Sequence, residues 1–395
     1  MSSASQIRHW QGPALFSYGF RPFFLFGSLW AGAAMIIWIL ALTGTVAPPS
    51  RFDPISWHAH AFLFGYLGAI IAGFLLTAVP NWTGGLPVVG ARLAGLFALW
   101  LAGRVAVAFS AHLPAWLAAG IDLAFPVVLS VVILREIVAG KNWRNLVVLG
   151  LLVVFTLANL IFHVEQASGG YPAHGLGQRL ALAAAVMMIG LIGGRIIPSF
   201  TRNWLVQQKS PNLPAPPMQR FDKLTLLASI AALLGWVGFP EARLTGAGLL
   251  LIGGLHLLRL ARWQGHRTGA EPLVLVLHAG YLFVPLGAIA MGLAVLWPDL
   301  IPVPAAKHLW LAGAIGTMTL AVMTRATLGH TGHALHADEA TIAIYAAIML
   351  STVLRFIAGF WPGHVLFDIA GLLWCLAFLG FAVVYGPKLM RSRKP

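Results

Sequence analysis

The sequence predicts an all-α, polytopic membrane bundle of about twelve transmembrane helices, and three observations lead to that fold class. Of the 395 residues, 59% are hydrophobic and only 9% are charged, with a mean hydropathy of +0.84; a soluble domain cannot bury so much apolar surface. The apolar runs are roughly twenty residues long, enough to cross a ~30 Å hydrocarbon core. The net charge of +14 lies in short connections between these runs, which indicates membrane topology and not nucleic-acid binding.

The chain is predicted to form a single integral membrane domain over residues 1–395. Residues 1–22 form an interfacial, cytoplasmic N-terminal segment, and residues 387–395 form a basic cytoplasmic tail. The longest connection, about 199–221, is rich in proline. The predicted spans cover about 23–45, 55–80, 88–110, 114–138, 143–165, 174–198, 222–240, 243–262, 272–296, 305–328, 339–360 and 364–386.

The lysines and arginines predict the orientation of these spans. With the N-terminus inside, most basic residues fall in inner connections or the tail, and the positive-inside rule then places both termini in the cytoplasm. The outer side carries only Arg51, Arg179, Arg243, Lys307 and Arg355. The single cysteine, Cys375, excludes an internal disulfide and a C-x-x-C-H haem attachment, so any haem is bound non-covalently.

The second span begins with a helix-start signal followed by two histidines. Asp53 can cap the first backbone N–H groups, and Pro54 suits the first helical position. His58 and His60 follow in the second turn. Residues i and i+2 lie about 200° apart around a helix, so these two imidazoles face different neighbours. They can be ligands of two separate sites or interfacial side chains in contact with headgroup water.

Other histidines share the predicted outer level of His58 and His60. His163 ends the fifth span, His174 begins the sixth, and His308 begins the tenth. His278 lies about two turns into the ninth span from the inner side, where a buried imidazole needs a partner. Metal coordination and ordinary polar packing are both open for this set; for His278 the alternative is a hydrogen bond to a neighbouring helix.

A weak internal repeat relates the second, sixth and tenth spans. Each is rich in glycine, continues with apolar residues, and ends with proline or threonine near arginine, asparagine or tryptophan. A spacing of four spans predicts three four-helix units around an axis, whereas a two-fold transporter repeats every six spans. Close helix packing is the simpler interpretation of the glycines.

Several segments together resemble the NnrS family, haem- and copper-containing membrane proteins of the bacterial nitric oxide response. The similarity extends from the first span to the eleventh. The matching segments are GFRPFFL (19–25), WHAH (57–60) with FGY (64–66), AGFLLTAVPNWTG (72–84), NLIFH (159–163), GGRIIPSFTRNW (193–204), EPLVLVLHAGYLFVPLG (271–287) and AGAIGTMTLAVMTRATLGHTG (312–332).

The resemblance implies b-type haem and copper as cofactors. Imidazole binds both haem iron and copper. The residues implied to bind a cofactor are His58, His60, His163, His278 and His308. The residues implied to be ligands of a metal ion are His58, His60, His163, His308 and His174. The twelve-helix layout also resembles the catalytic subunit of haem–copper oxidases, where a His-x-His pair serves two centres. The seventh span here lacks the histidine pair of that superfamily, so the likeness is architectural.

One departure from the family pattern concerns a carboxylate. The family usually continues the paired histidines with Glu-Met, where this chain has Ala61 and Phe62. If that carboxylate tunes a ligand or carries protons, the role is either missing in this chain or supplied elsewhere, with Glu165 as a candidate. Asp122 and Glu165 are the acidic residues near the outer half that could serve such work.

The functional prediction is a haem- and copper-binding protein of the bacterial inner membrane that binds or converts nitric oxide and protects against nitrosative stress. Nitric oxide is small and apolar, so it meets a metal embedded in lipid directly. The electron donor is not identifiable, and whether the ligand is converted is left open. Two alternatives are a cofactor-free secondary transporter that uses membrane histidines, and a haem-bearing nitric oxide sensor or scaffold without turnover.

Overall fold

A computed structural model describes residues 11–361 and 363–392, and these residues form helices without any β-strand. Twelve helices are long and apolar enough to cross a membrane, which confirms the predicted all-α fold class. They are α1 Phe20–Leu42, α2 Pro54–Thr83, α3 Ala91–Ala108, α4 Ala115–Ala139, α5 Trp143–Ala167, α6 Leu176–Gln207, α7 Arg220–Gly238, α8 Arg243–Arg267, α9 Pro272–Leu296, α10 Val303–Thr331, α11 Glu339–Ile357 and α12 Val365–Met390.

The helix α6 is longer than predicted. The expected end at residue 198 is wrong because the chain continues helically through Pro198 to Gln207. Arg202 and Asn203 lie exposed on this last part while Thr201 and Leu205 are buried, so the polar residues mark an amphipathic helix end and not a loop. The proline-rich connection therefore covers 208–219 instead of 199–221.

The two ends of the chain are also more helical than expected. Arg21, predicted to lie in the interfacial segment, is in the first turn of α1 and is buried. Its Nη1 donates to the carbonyl oxygens of Leu389 (2.7 Å) and Arg391 (2.6 Å) at the end of α12. A guanidinium at a helix C-terminus satisfies free carbonyls and opposes the negative end of the helix dipole. The predicted tail from 387 begins inside α12, and residues 393–395 lie outside the described part.

Three helices contain a π-helical segment: Ala61–Leu67 in α2, Ile189–Gly193 in α6 and Leu309–Gly316 in α10. No other helix of the described residues contains one. These are the second, sixth and tenth spans, so the repeat seen in the sequence has a structural counterpart. π-helical turns are rare and are frequent at functional sites. The three-fold arrangement around an axis stays a prediction.

The chain forms two compact units. The first contains Met1–Ala181, Ala326–Ala334 and Phe378–Pro395, and the second contains Leu182–Arg325 and Leu335–Ala377. The single-domain organisation stays a prediction. The candidate histidines divide between the units: His58, His60, His163 and His174 belong to the first, and His278 and His308 to the second.

Candidate metal centre

A buried carboxylate joins two of the predicted ligands in the first unit. His60 of α2 and His163 of α5 each place Nε2 3.0 Å from Oδ2 of Asp122 in α4. Each of these residues offers one ligand atom, and the three atoms lie within 4.8 Å of one another. His60 and Asp122 are completely buried and His163 is 7% exposed. The predicted convergence of imidazoles from separate helices is therefore present for this pair.

The start of α2 sets the orientation of both early histidines. The Asp53 carboxylate accepts from the backbone N–H groups of Ile55 and Ser56, each at 3.0 Å, which fixes the helix start as the sequence predicted. Two turns on, the His60 ring stacks on Phe52 at 5.3 Å. The His58 ring stacks instead on Trp38 of α1 at 4.4 Å. The predicted separation of the two imidazoles onto different helix faces is confirmed.

Two further side chains hold Asp122 in place. Arg104 of α3 donates from Nη2 to Oδ1, and Asn159 donates from Nδ2 to Oδ2 at 2.8 Å. Asn159 precedes His163 by four residues on α5, so both side chains share one helix face. Gly103 allows the approach of α4, because a Cβ there would lie 2.8 Å from Oδ1. The carboxylate thus directs one oxygen to the guanidinium and the other to the imidazoles.

The π-helical segment of α2 shapes the wall beside Arg104. Two indole N–H groups donate to backbone carbonyls of this segment. Trp30 Nε1 donates to the Ala61 carbonyl and Trp100 Nε1 donates to the Gly65 carbonyl, each at 2.9 Å. A Cβ on Gly65 would lie 2.6 Å from both Arg104 Nη1 and Trp30 Nε1. Only glycine lets the guanidinium pass this close to the helix on its way to Asp122.

The hydrogen bonds determine where the protons lie. The charges of Arg104 and Asp122 offset each other, which lowers the free-energy cost of burying both side chains. Because Asp122 is acceptor-only when ionised, the two imidazoles donate from Nε2, and each keeps its lone pair on Nδ1. The Nδ1 of His60 is buried and has no hydrogen-bond partner among the described residues. A metal ion at this point would bind the Nε2 atoms, and each neutral ring would then carry its proton on Nδ1.

The donor set suits one metal ion and does not suit a haem. Two ligands of a tetrahedral metal lie about 3.3 Å apart, close to the 3.0 Å between each Nε2 and Asp122 Oδ2. The cavity beside Asp122 has a volume of only about 10 Å³, room for about one water. The rings of Phe52, Phe64 and Phe162 also pack against His60, so a porphyrin has no space here.

The other predicted ligands in the first unit lie away from this cluster. His58 faces Trp38 and Phe62. His174 is exposed in the short turn before α6, where its ring contacts Tyr171 at 5.0 Å. Neither belongs to the three-residue group around Asp122.

The two predicted ligands in the second unit have different environments. Thr201 donates to the Ile197 carbonyl at 2.9 Å, so it accepts from His278 Nε2 at 2.8 Å; this is the hydrogen bond that the sequence left open as the alternative. The Nδ1 of His308 donates to the Pro304 carbonyl at 2.6 Å, which puts the lone pair on Nε2. Metal-ligating histidines have this orientation.

The expectation that Glu165 supplies a carboxylate at the imidazoles is wrong. Glu165 caps α6 by accepting from the backbone N–H of Leu176 at 2.6 Å, so it is not at the imidazoles. Asp122, the other acidic residue that the sequence offers near the outer half, is the carboxylate that contacts the imidazoles. The sequence reasoning also missed Arg104 and Asn159 as site residues, although a charged or amide side chain inside an apolar span is by itself a signal of function.

The second unit contains another buried Arg–Asp pair. Arg259 of α8 donates from Nε to Asp222 Oδ1 of α7 at 2.7 Å. Its Nη1 donates to the carbonyl of Gly190 at 2.8 Å, within the π-helical segment of α6. This pair therefore lies beside a π-helical turn, as Arg104 and Asp122 do.

An imidazole is attached to this second pair through a tyrosine. Arg259 Nη1 donates to the hydroxyl of Tyr281 at 2.8 Å, and that hydroxyl donates to His256 Nδ1 at 2.8 Å. Ser229 donates to the Thr225 carbonyl at 2.7 Å, so it accepts from His256 Nε2 at 2.9 Å. Both nitrogens of His256 are used, which leaves the ring no lone pair for a metal.

Comparison with known proteins gives one family. The family model described as NnrS protein matches residues 14–393, nearly the whole chain. No curated protein matches the chain at a significant level.

Proposed function

Because the chain belongs to the NnrS family, we propose that it is a membrane metalloprotein that binds nitric oxide, with a copper ion held by His60, His163 and Asp122. The observation that carries the proposal is the convergence of two imidazoles and one carboxylate, from three helices, within 4.8 Å.

The chemistry of the donors supports copper. Imidazole nitrogens suit copper, and copper stands at the top of the affinity order for divalent first-row metals. When bound, copper would supply an open coordination position for nitric oxide. The protein holds the ligands: Arg104 and Asn159 fix the Asp122 carboxylate, and Phe52 fixes the His60 ring. Arg104 also offsets the carboxylate charge, so it tunes how strongly Asp122 attracts the ion.

Haem is proposed away from the Asp122 centre, and His58 in the first unit and His308 in the second are separate candidates for a haem ligand. Both side chains are half-buried, and Nδ1 of His308 donates to the Pro304 carbonyl, which fixes the orientation of that ring. With one cysteine in the chain, the haem is held by coordination and packing. His278 and His174 stay predictions as ligands.

The membrane setting supports nitric oxide as the ligand. The gas is neutral and concentrates in lipid, where the proposed ion lies. Binding of nitric oxide lowers its free concentration and so protects against nitrosative stress; conversion would in addition require an electron donor. We place the chain in the bacterial inner membrane with both termini in the cytoplasm, as the distribution of basic residues predicts.

Metal analysis and optical spectra of purified protein test the proposal. We expect about one copper per chain and a Soret band that shifts when nitric oxide is added. H60Q and H163Q should lose the copper and keep the Soret band, whereas H112Q, at an exposed histidine of an outer turn, should keep both.

Two of three results would contradict the proposal, and the other separates binding of nitric oxide from its conversion. A colourless, copper-free preparation from cells supplied with haem and copper would favour the cofactor-free transporter. Nitric oxide binding without consumption, with an electron donor present, would favour the sensor or scaffold over conversion. Unchanged copper content in both histidine variants would remove the ion from this site.

A further inference from the structure

A small apolar pocket leads to the polar centre of the first unit. Its inner end is formed by Asp122, Arg104 and Asn159. Its walls are apolar along most of their length, with rings and aliphatic side chains from α2, α4 and α5. These wall residues are Phe64, Ile71, Phe125, Leu129, Leu152 and Phe155.

The pocket opens towards the middle of the bilayer. Pro126 and Thr156 are the half-buried residues of its lining, so the mouth lies between α4 and α5. Each is eleven residues from the nearer helix end, about 16 Å along the helix, which is half of a ~30 Å hydrocarbon core. Their neighbours Val127 and Leu157 are each 49% exposed, as expected for lipid-facing side chains.

Neither of the two residues at this mouth, Pro126 and Thr156, offers a free hydrogen-bond donor to the pocket. Proline has no backbone N–H to expose. The Thr156 hydroxyl donates to the Leu152 carbonyl of its own helix at 2.9 Å, so its only proton is already used within the helix. No charged side chain lines the path before Arg104 and Asp122 are reached, among the residues that the structure describes.

We propose that this pocket is an entry route by which a neutral diatomic molecule, nitric oxide, passes from the lipid core to the Asp122 centre. The inference rests on the proposed function. A volume of about 10 Å³ suits a molecule close to water in size and excludes larger ligands. Apolar walls repel hydrated anions, because an ion entering them loses its hydration without compensation.

Gly68 provides the variant that closes the route. It lines the pocket, and a Cβ added there meets no atom within 4 Å, so the larger side chain of G68L grows into the open space. T156L closes the mouth from α5 and loses only a bond within its own helix. Gly150 is the matched control, because a Cβ there also meets nothing within 4 Å and the residue is exposed on α5.

Krypton-pressurised crystals of the metal-free protein test the pocket without any cofactor. We expect krypton, a neutral apolar probe, between Gly68 and Phe155 in the wild type and in G150L, and none in G68L. Absence of krypton from the wild type, or an acyl chain of lipid in its place, would overturn the proposal.

Rates of nitric oxide binding to the metal-loaded protein in lipid nanodiscs test the route itself. We expect a decrease of at least about tenfold in G68L and T156L, with metal content unchanged, and the wild-type rate in G150L. Wild-type rates in both plugged variants would overturn the entry route alone. A wild type that binds neither metal nor nitric oxide would overturn the proposed function, whatever the krypton result.

Discussion

Two buried ion pairs, Arg104–Asp122 in the first unit and Arg259–Asp222 in the second, use the same residue types in different ways. Each lies beside a π-helical segment, and each has an imidazole nearby. In the first pair the imidazoles of His60 and His163 contact the carboxylate directly. In the second, Tyr281 stands between Arg259 and His256.

This difference separates a ligand-binding arrangement from a structural one. In the second network both ring nitrogens of His256 are hydrogen-bonded, one to Tyr281 and the other to Ser229. In the first, Nε2 of His60 and Nε2 of His163 both lie 3.0 Å from the same oxygen of Asp122, and a cavity reaches that residue. The presence of a histidine beside a buried ion pair is therefore a weak criterion for a metal site, and the convergence of two imidazoles on one carboxylate oxygen is a stronger one.

The largest expected effect comes from removing either carboxylate charge. D122N and D222N each leave a buried guanidinium without its counter-ion, which costs about 3–5 kcal/mol of stability. We expect both to lower the unfolding temperature in detergent to a similar extent, measured by scanning fluorimetry. Copper should be lost from D122N and retained in D222N; equal copper content in the two would contradict the distinction between the pairs.

The next largest effect is expected from substitution of the histidine beside each ion pair, His60 in the first unit and His256 in the second. H60Q removes a proposed ligand, and since losing an outer-shell partner already costs 10–100-fold in metal affinity, we expect a decrease of at least about 100-fold. H256Q should leave copper affinity unchanged and cost about 1–3 kcal/mol, because Tyr281 and Ser229 lose a buried partner. Competitive titration with a copper chelator measures the first quantity and thermal unfolding the second. Weaker copper binding in H256Q would oppose the account.

A smaller effect tests the π-helical wall. W100F removes the indole donor to the Gly65 carbonyl, and an unsatisfied buried carbonyl costs about 1–3 kcal/mol. We expect a lower unfolding temperature together with weaker copper binding, because Arg104 contacts the same turn. W263F, which alters an indole in the second unit, is the control for copper content; a W100F protein with wild-type copper affinity would show that the turn is only structural.

The smallest effect concerns Glu165. E165A removes the acceptor that caps α6, which costs about 0.5–2 kcal/mol, and copper content should not change. Thermal unfolding and metal analysis on the same preparation check both statements. Loss of copper in E165A would restore the role that the sequence first suggested for this residue.

Much of the fold follows from local signals in the chain. Apolar length predicts the twelve spans because a membrane helix must satisfy its backbone internally over a fixed thickness. The i, i+2 spacing of His58 and His60 predicts their separation, since helix geometry alone sets the angle. The extension of α6 past Pro198 was missed because proline is a strong end signal in water and a weaker one in a membrane helix.

The centre of the site depends on contacts that no local pattern contains. His60, Asp122 and His163 meet only because α2, α4 and α5 pack together. Arg104 was overlooked since it lies within an apolar run instead of a connection. A lone acid in one span and a lone base in the preceding one are a usable signal, because neither is stable in the bilayer without a partner.

X-ray absorption at the copper edge, on protein purified from copper-supplied cells, tests the central claim most directly. We predict that copper is bound by two imidazole nitrogens and one carboxylate oxygen, with one imidazole lost in H163Q. A protein without copper, or a copper shell that is identical in the wild type, H60Q and H163Q, would contradict the claim that these helices hold a metal ion around Asp122.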